Sequence, residues 1–381
     1  MLLSDTRDEV DIMTAGLLPA MTTLDAGTLD PCQEDSTAAP WEYVASWIIY
    51  GPLVTFWIAM GLRYRDFAIA TLANPHIPTG GLCGESKSGI LSQFPTSEST
   101  WVAPWQVFTT GQDSMRRAAD AMERLDLSFP VVLKPDIGCK GAGVRLIRTQ
   151  DRLSETLALY PDNIPVMIQH FIPYEGEAGI FYSRLPNEDI GQILSMTFKS
   201  SPFVVGNGVS TLHELILDHP RAGTVPHVYL PRLTGRLDEV PSPGEVVSLV
   251  FTGNHSKGSL FRDATHLITP ALTKRIDAIL RRLPDSHHGR VDLRFASVEA
   301  LREGRQFQII EVNGIDSEPI HMWASGTTLA SIWRTQFRFY GRAFRIGALM
   351  RQRGFRSKGA FDMLRQWRRQ SALIARYPSS D

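Results

Sequence analysis

The chain of 381 residues, 43% of them hydrophobic, is long enough to build two or three lobes around cores of their own, and its formal net charge of -1 excludes a protein held to nucleic acid by bulk charge. A small-molecule partner is expected instead. The three cysteines, Cys32, Cys83 and Cys139, make no even framework and no Cys-x-x-Cys pair, which excludes a disulfide scaffold and fits a reducing cytoplasm.

In chain order, residues 1–38 are polar and acidic (Asp5, Asp8, Glu9, Asp11, Asp25, Asp30, Glu34, Asp35) and lack the basic cluster and cleavage pattern of a signal peptide. They read as a disordered leader. In the next segment, Trp41 to Leu62, Glu42 is the only charge. A run of ~20 apolar residues matches the thickness of a bilayer. Gly51-Pro52 interrupts it, however, aromatic residues crowd it, and Arg63 and Arg65 follow directly. An interfacial or hairpin-like membrane contact and a helix pair covering the body of the protein therefore stand beside a full span. Phe67 to Ala73 reads as a strand entering the Pro/Gly loop Asn74 to Gly81.

Phe129-Pro130-Val131-Val132-Leu133-Lys134-Pro135 is a β-branched strand ending in a lysine, followed by a glycine-rich turn and the apolar run Val144 to Ile147. Gly138, Gly141 and Gly143 let backbone N–H groups approach phosphate oxygens, and Lys134 and Lys140 add positive charge, so this strand-loop-strand unit is suited to cover a polyphosphate. It is neither a Walker A loop nor a dinucleotide fingerprint, both of which open a helix, and its lysine precedes the loop instead of following it as in a protein kinase. Taken alone, it reads equally as a glycine-rich hairpin with no ligand. Cys139 lies in the loop and is read as a small residue that fits. Further on, Val247 to Phe251 reads as a strand and Asn254 to Ser259 as a turn, in which Asn254 and Lys257 are candidate contacts and His255 a plain loop residue. Thr269-Pro270 opens a helix to about Leu283 with Leu272, Ile276, Ile279 and Leu280 at helical spacing.

Gly289 to Arg294 and Phe307 to Asn313 read as two short strands that bring acids to one place. Side chains alternate along a strand, so Glu311 and Asn313 share a face, and Asp292 on the neighbouring strand joins them. Hard oxygen ligands of this kind suit Mg²⁺, with Mn²⁺ as a substitute; the alternative is an edge pair with solvated charges. Past Trp323 the composition turns basic: from 334 to 369 arginines interleave with aromatics, as in helices that lie on anionic membranes, bind a partner, or pack on a protein core.

Together these pieces resemble the ATP-grasp superfamily, and within it the D-alanine-D-alanine ligase-like carboxylate-amine ligases, over about residues 80 to 325. The resemblance implies an α+β fold of two lobes clasping ATP at 81–325. A reduced amino-terminal lobe (39–80) would precede it and a basic helical extension (326–381) would follow. Gly84-Glu85-Ser86-Lys87 resembles the family's first nucleotide lysine, Lys134-Pro135 its second, and Val166 to Ile172 its adenine hinge, with Gln169 where the family often has Glu. The implied ATP ligands are Lys87, Lys134, Gly138, Lys140, Gly141, Gly143, Gln169, Phe171, Ile172, Glu177 and Lys199. Asp292, Glu311 and Asn313 are the implied metal ligands and Arg290 the catalytic cation. In Val205 to Ile216, Ser210 or Thr211 is a helix cap with Glu214 in the first turn.

The resemblance implies a cytoplasmic enzyme that activates a small carboxylate with Mg·ATP as an acylphosphate and passes it to an amine. It implies no nucleic-acid partner. Peripheral membrane contact through 41–62 and 334–369 is the expectation carried beside it. An ATP-grasp phosphotransferase or a non-catalytic nucleotide-binding scaffold are the alternatives. Gly314 to Pro319 would border the acceptor, and Asp316 and Glu318 there point to an amine-bearing partner.

Overall fold

The computed structural model describes residues 44–251, 253 and 258–380, so the acidic leader and the turn Asn254 to Lys257 lie outside the described residues. Ser46–Tyr64 forms helix α1 and Lys87–Leu91 the short helix α2. A first antiparallel sheet follows, made of β1 (Trp105–Thr109), β2 (Val131–Pro135), β3 (Arg145–Ile147) and β4 (Pro165–His170) in the order β1-β4-β2-β3. Helices α3 (Ser114–Arg124) and α4 (Gln150–Ala158) cover one face of it, seating Ala118, Ala121, Leu153 and Leu157 on Val131, Leu133, Val166 and Ile168.

β5 (Gly176–Ser183) and β6 (Gln192–Ser200) begin the second sheet. An excursion intervenes, in which the hairpin of β7 (Phe203–Val205) and β8 (Val246–Ser248) packs with α5 (Leu212–Asp218) and α6 (Pro226–Tyr229) around a separate apolar cluster. Thr211 is the cap of α5 and forms a capping box with Glu214, satisfying two otherwise unpaired N–H groups. β9 (Leu260–Asp263), α7 (Pro270–Leu280), β10 (His288–Phe295), α8 (Val298–Arg302) and β11 (Phe307–Asn313) complete the second sheet in the order β11-β10-β5-β6-β9. α7 buries Leu272, Ile276, Ile279 and Leu280 against it, with Thr269 accepting from the Leu272 N–H at its start. Two antiparallel sheets, each packed against helices, form an α+β architecture.

The long helix α9 (Leu329–Gln352) and α10 (Gly359–Ile374) close the chain. α9 lies beside α1, with Phe56 stacked on Phe337 at 5.0 Å and Trp57 edge-on to Phe344 at 4.9 Å. Among the described residues no helix is long and apolar enough to cross a membrane.

The strand expected at Phe67 to Ala73 is not formed: Ile69–Ala73 is a 3₁₀ helix with all five side chains buried. A strand needs a neighbour for its backbone. Here the Thr71 N–H bonds back to Ala68 and that of Asn74 to Thr71, while α9 comes so close that a Cβ on Gly347 would strike the Ile69 carbonyl. Two boundaries also differ. The strand expected from Val247 to Phe251 is β8 and stops at Ser248, and the helix expected to reach Leu283 ends at Leu280.

Candidate active site

The site is built where β10 and β11 face the first sheet. Asp292 pairs in register with Glu311, and Arg290 with Asn313, so all four side chains project from one face. Arg290 donates to both Asp292 oxygens at 2.8 and 3.1 Å, Lys199 Nζ on β6 lies 3.1 Å from Asp292 Oδ1, and Asn313 Nδ2 is 3.4 Å from Oδ2. Burial alone would raise the Asp292 pKa, but Arg290 and Lys199 outweigh it and hold the carboxyl down at about 2. Room for this cluster comes from Gly179 on β5, where a Cβ would sit 3.1 Å from Asp292 Oδ1 and 3.2 Å from Arg290 Cδ.

Two further lysines reach the same acids from the other side. Lys87 Nζ is 3.3 Å from Glu311 Oε1 and 3.2 Å from the Gly138 carbonyl. Its loop is fixed by Asp136, whose carboxylate accepts from Ser86 Oγ (2.6 Å) and the Ser88 N–H (2.8 Å) at the start of α2. Lys134 Nζ donates to Gln169 Oε1 at 2.8 Å and to the Ile310 carbonyl at 3.0 Å, which ties the first sheet to the second. Burial pushes its ammonium down to about 8, with Glu311 only partly opposing. Glu311 itself is held below the usual carboxylate range: burial would raise it, and Lys87 and Lys134 outweigh that.

The glycine-rich loop has the backbone its sequence requires. Gly141 and Gly143 are left-handed (φ 66° and 70°), as is Lys140 (φ 53°), and β2 and β3 flank the loop as an antiparallel pair. Lys87 meets this loop through the Gly138 carbonyl, whereas the Lys140 side chain is exposed at its tip, apart from the other three lysines. At the hinge, Gln169 is buried and braces Lys134, while Ile172 is buried and Phe171 half-buried. Phe171 lies under the Arg294 guanidinium at 4.9 Å and near Phe251, a flat-ring setting. Arg294 escaped the sequence reading although the signal was there: it continues the Arg290, Asp292 alternation along β10. Glu177, opposite Arg294 in register, pairs with Lys199 at 3.2 Å.

Among the described residues no three His, Cys, Asp or Glu side chains gather at one point. The oxygen set at this site is two facing carboxylates and an amide, both carboxylates ionised, which is hard-donor chemistry that fits Mg²⁺. Past Asn313, the Gly314 N–H donates to the buried Glu85 carboxylate at 3.1 Å, and Asp316 is pushed up to about 7, chiefly by burial, with Glu318 and Glu311 adding to it against Arg290. The Glu318 carboxylate is occupied by Tyr50 on α1 and by Trp323 Nε1 (2.9 Å), so of the two acids expected to meet an amine only Asp316 has an uncommitted carboxylate.

Residues 106–191 match the family model of the RimK-like ATP-grasp domain. No curated protein sequence matches the chain. Among solved structures the chain is similar to a bifunctional glutathione synthetase from Pasteurella multocida (18% identity, TM-score 0.34, covering 66% of this chain and 36% of that one). It is also similar to a D-Ala:D-Ser ligase from Enterococcus faecalis (13%, 0.39, 69% and 63%) and a D-alanine-D-alanine ligase from Bacillus anthracis (16%, 0.41, 71% and 70%). The chain thus spans about a third of the first and under two thirds of the second.

Proposed function

We propose that this chain, an ATP-grasp protein of D-alanine-D-alanine ligase-like kind, is a carboxylate-amine ligase that makes an amide at the expense of ATP. The observation that carries the reading is the convergence of Lys87 from α2 and of Lys199 and Arg290 from the second sheet on the carboxylates of Glu311 and Asp292, with Lys134 of the first sheet bonded to the Ile310 carbonyl beside them. Lys87, Lys199 and Arg290 are held by Asp292, Glu311 and Glu177, partners from which the lysines could turn to the phosphates of a nucleotide while the carboxylates take its metal.

In the reaction we infer, a substrate carboxylate oxygen attacks the γ-phosphorus, the bond to the β,γ-bridging oxygen breaks and ADP leaves. The amine nitrogen then attacks the acyl carbon, the C–O bond to phosphate breaks, and the nitrogen loses a proton. Lys87 from α2 and Lys134 from the first sheet would orient the phosphates while the 138–143 loop covers them. Lys199 and Arg290 would meet the charge that builds on the transferring group and on the tetrahedral oxyanion. Asp292, Glu311 and Asn313 would hold Mg²⁺, which when bound neutralises charge on the β- and γ-phosphates. Phe171 and Arg294 supply planar surfaces for the base. Asp316, titrating near neutrality, is suited to receive the proton of the incoming amine.

The test is phosphate release from Mg·ATP across panels of carboxylates and amines, with mass spectrometry of the products. Release that needs both substrates and yields their amide is expected. A phosphorylated product in place of an amide would make the chain a phosphotransferase, and ATP binding without turnover would make it a scaffold.

A further inference from the structure

Helix α1 turns one face to the body of the protein and leaves the other bare. Trp47, Val54, Ile58 and Leu62 fall on a single stripe at helical spacing and are exposed, Trp47 by 75% and Leu62 by 64%. Ser46–Tyr64 contains no acidic residue, and Arg63 lies in its last turn with Arg65 just beyond.

The carboxy-terminal helices add to this face. Arg351 at the end of α9 donates to the Tyr64 carbonyl at 2.9 Å, and Ser357 Oγ to Asp66 at 2.7 Å, so the end of α1 and the α9–α10 junction are fastened together. Exposed Arg356 and Lys358 lie in that junction, and Phe361, 90% exposed, follows it. Both acids described there are engaged, Asp66 by Ser357 and the Ala68 N–H and Asp362 by Arg365. The charge is segregated over the whole chain: residues 329–380 hold twelve basic side chains and one acidic one in a protein of formal net charge -1.

We propose that this face, the outer stripe of α1 with Phe361 and the exposed basic side chains around Tyr64, docks on the surface of an anionic phospholipid bilayer, with α1 lying in the interface. Three observations favour a bilayer over other occupants. An aliphatic and aromatic stripe calls for an apolar phase, which a nucleic acid does not offer. A second copy of the chain would bring arginines against arginines, with no acid on α1 or α9 to offset them. Basic side chains beside an apolar face complement a surface of negative headgroups over hydrocarbon. The inner side of α1 reaches the catalytic region through Tyr50 and Glu318, so docking would hold the cleft close to the membrane without the stripe entering it.

The test is co-sedimentation of the full chain with vesicles of phosphatidylcholine alone and of phosphatidylcholine with about a quarter phosphatidylglycerol. Pelleting with the anionic vesicles, weakened by salt and absent with neutral ones, is expected. It should fall roughly ten-fold in a Trp47→Ser, Ile58→Ser, Leu62→Ser variant and in an Arg63→Glu, Arg65→Glu variant. All five positions are exposed, so unchanged far-ultraviolet circular dichroism would accompany the loss. The proposal is overturned if the parent stays in the supernatant with both vesicle types, if it pellets equally with both, or if the variants pellet like the parent. It is also overturned by a concentration-dependent dimer that the apolar variant abolishes while vesicle binding is absent, which would assign the face to a second copy.

Discussion

Asp292 has two tasks, and a substitution separates them. It is buried and neutralises Arg290 and Lys199, so Asp292→Ala strands two buried cations and is expected to cost about 3–5 kcal/mol in chemical denaturation. Glu311→Gln keeps the shape and removes only charge, and should lower ATP turnover by roughly 10²-fold or more with a smaller change in stability. Asp316 gives a prediction in pH. Its carboxyl, raised to about 7 in the folded chain against about 3.9 unfolded, binds its proton more tightly when folded. Its contribution to stability is therefore fullest below about pH 4 and lost as pH rises to about 7. Asp316→Asn should thus be the more stable protein above pH 7 in thermal melts, and its rate profile should lose the acidic limb that the parent shows near that pH. That Asp292, Glu311 and Asn313 share a face was legible because period-2 alternation fixes which side chains project together. Arg294 obeys the same alternation. Gly179 was not legible, since its role exists only once β5 lies beside β10.

At the scale of elements, α10 and the residues that follow it join two loops of the candidate site. Tyr377 Oη donates to the Ile137 carbonyl at 2.7 Å, Arg145 Nε donates to the Ser379 carbonyl at 2.9 Å, and Gln370 accepts from the Gly84 N–H. The segment thereby fastens the glycine-rich loop to the loop carrying Lys87. Tyr377→Phe together with Gln370→Ala should raise KM for ATP by up to roughly 30-fold with kcat little changed, because about 1 kcal/mol of positioning per lost hydrogen bond is removed and no reacting contact is. Steady-state kinetics in ATP checks this, and an equal fall in kcat would place these residues nearer the chemistry. None of it was readable from an arginine-rich sequence, which reports amphipathicity and not the surface it meets. The 3₁₀ segment at Ile69 was hidden for a related reason. Five apolar or small residues in a row fit a buried strand as well as a buried turn, and only the close approach of α9 decides between them.

For the molecule as a whole, Lys134 belongs to the first sheet and bonds the Ile310 carbonyl of the second. It is not alone in joining them: Met167 of β4 lies in the apolar cluster of the second sheet, with Trp105 and Val107 of β1 packed against it, so the sheets share apolar as well as polar contacts. ATP held by Lys87 and Lys134 on one side and Lys199 on the other adds a further link, and binding to the folded state alone stabilises by about 2.7 kcal/mol at a hundred times Kd. For a chain of 381 residues that corresponds to a rise in Tm of about 1–2 °C per kcal/mol. Lys134→Met removes a contact to ATP and the bridge between sheets together. The expected outcome is a melt that ATP raises in the parent, and in the variant a melt that stays single, because the apolar contacts between the sheets remain, but moves less with ATP. A variant that shifts with ATP like the parent would show that Lys134 does not meet the nucleotide, and a divided melt would show that its bridge to Ile310 is what couples the sheets.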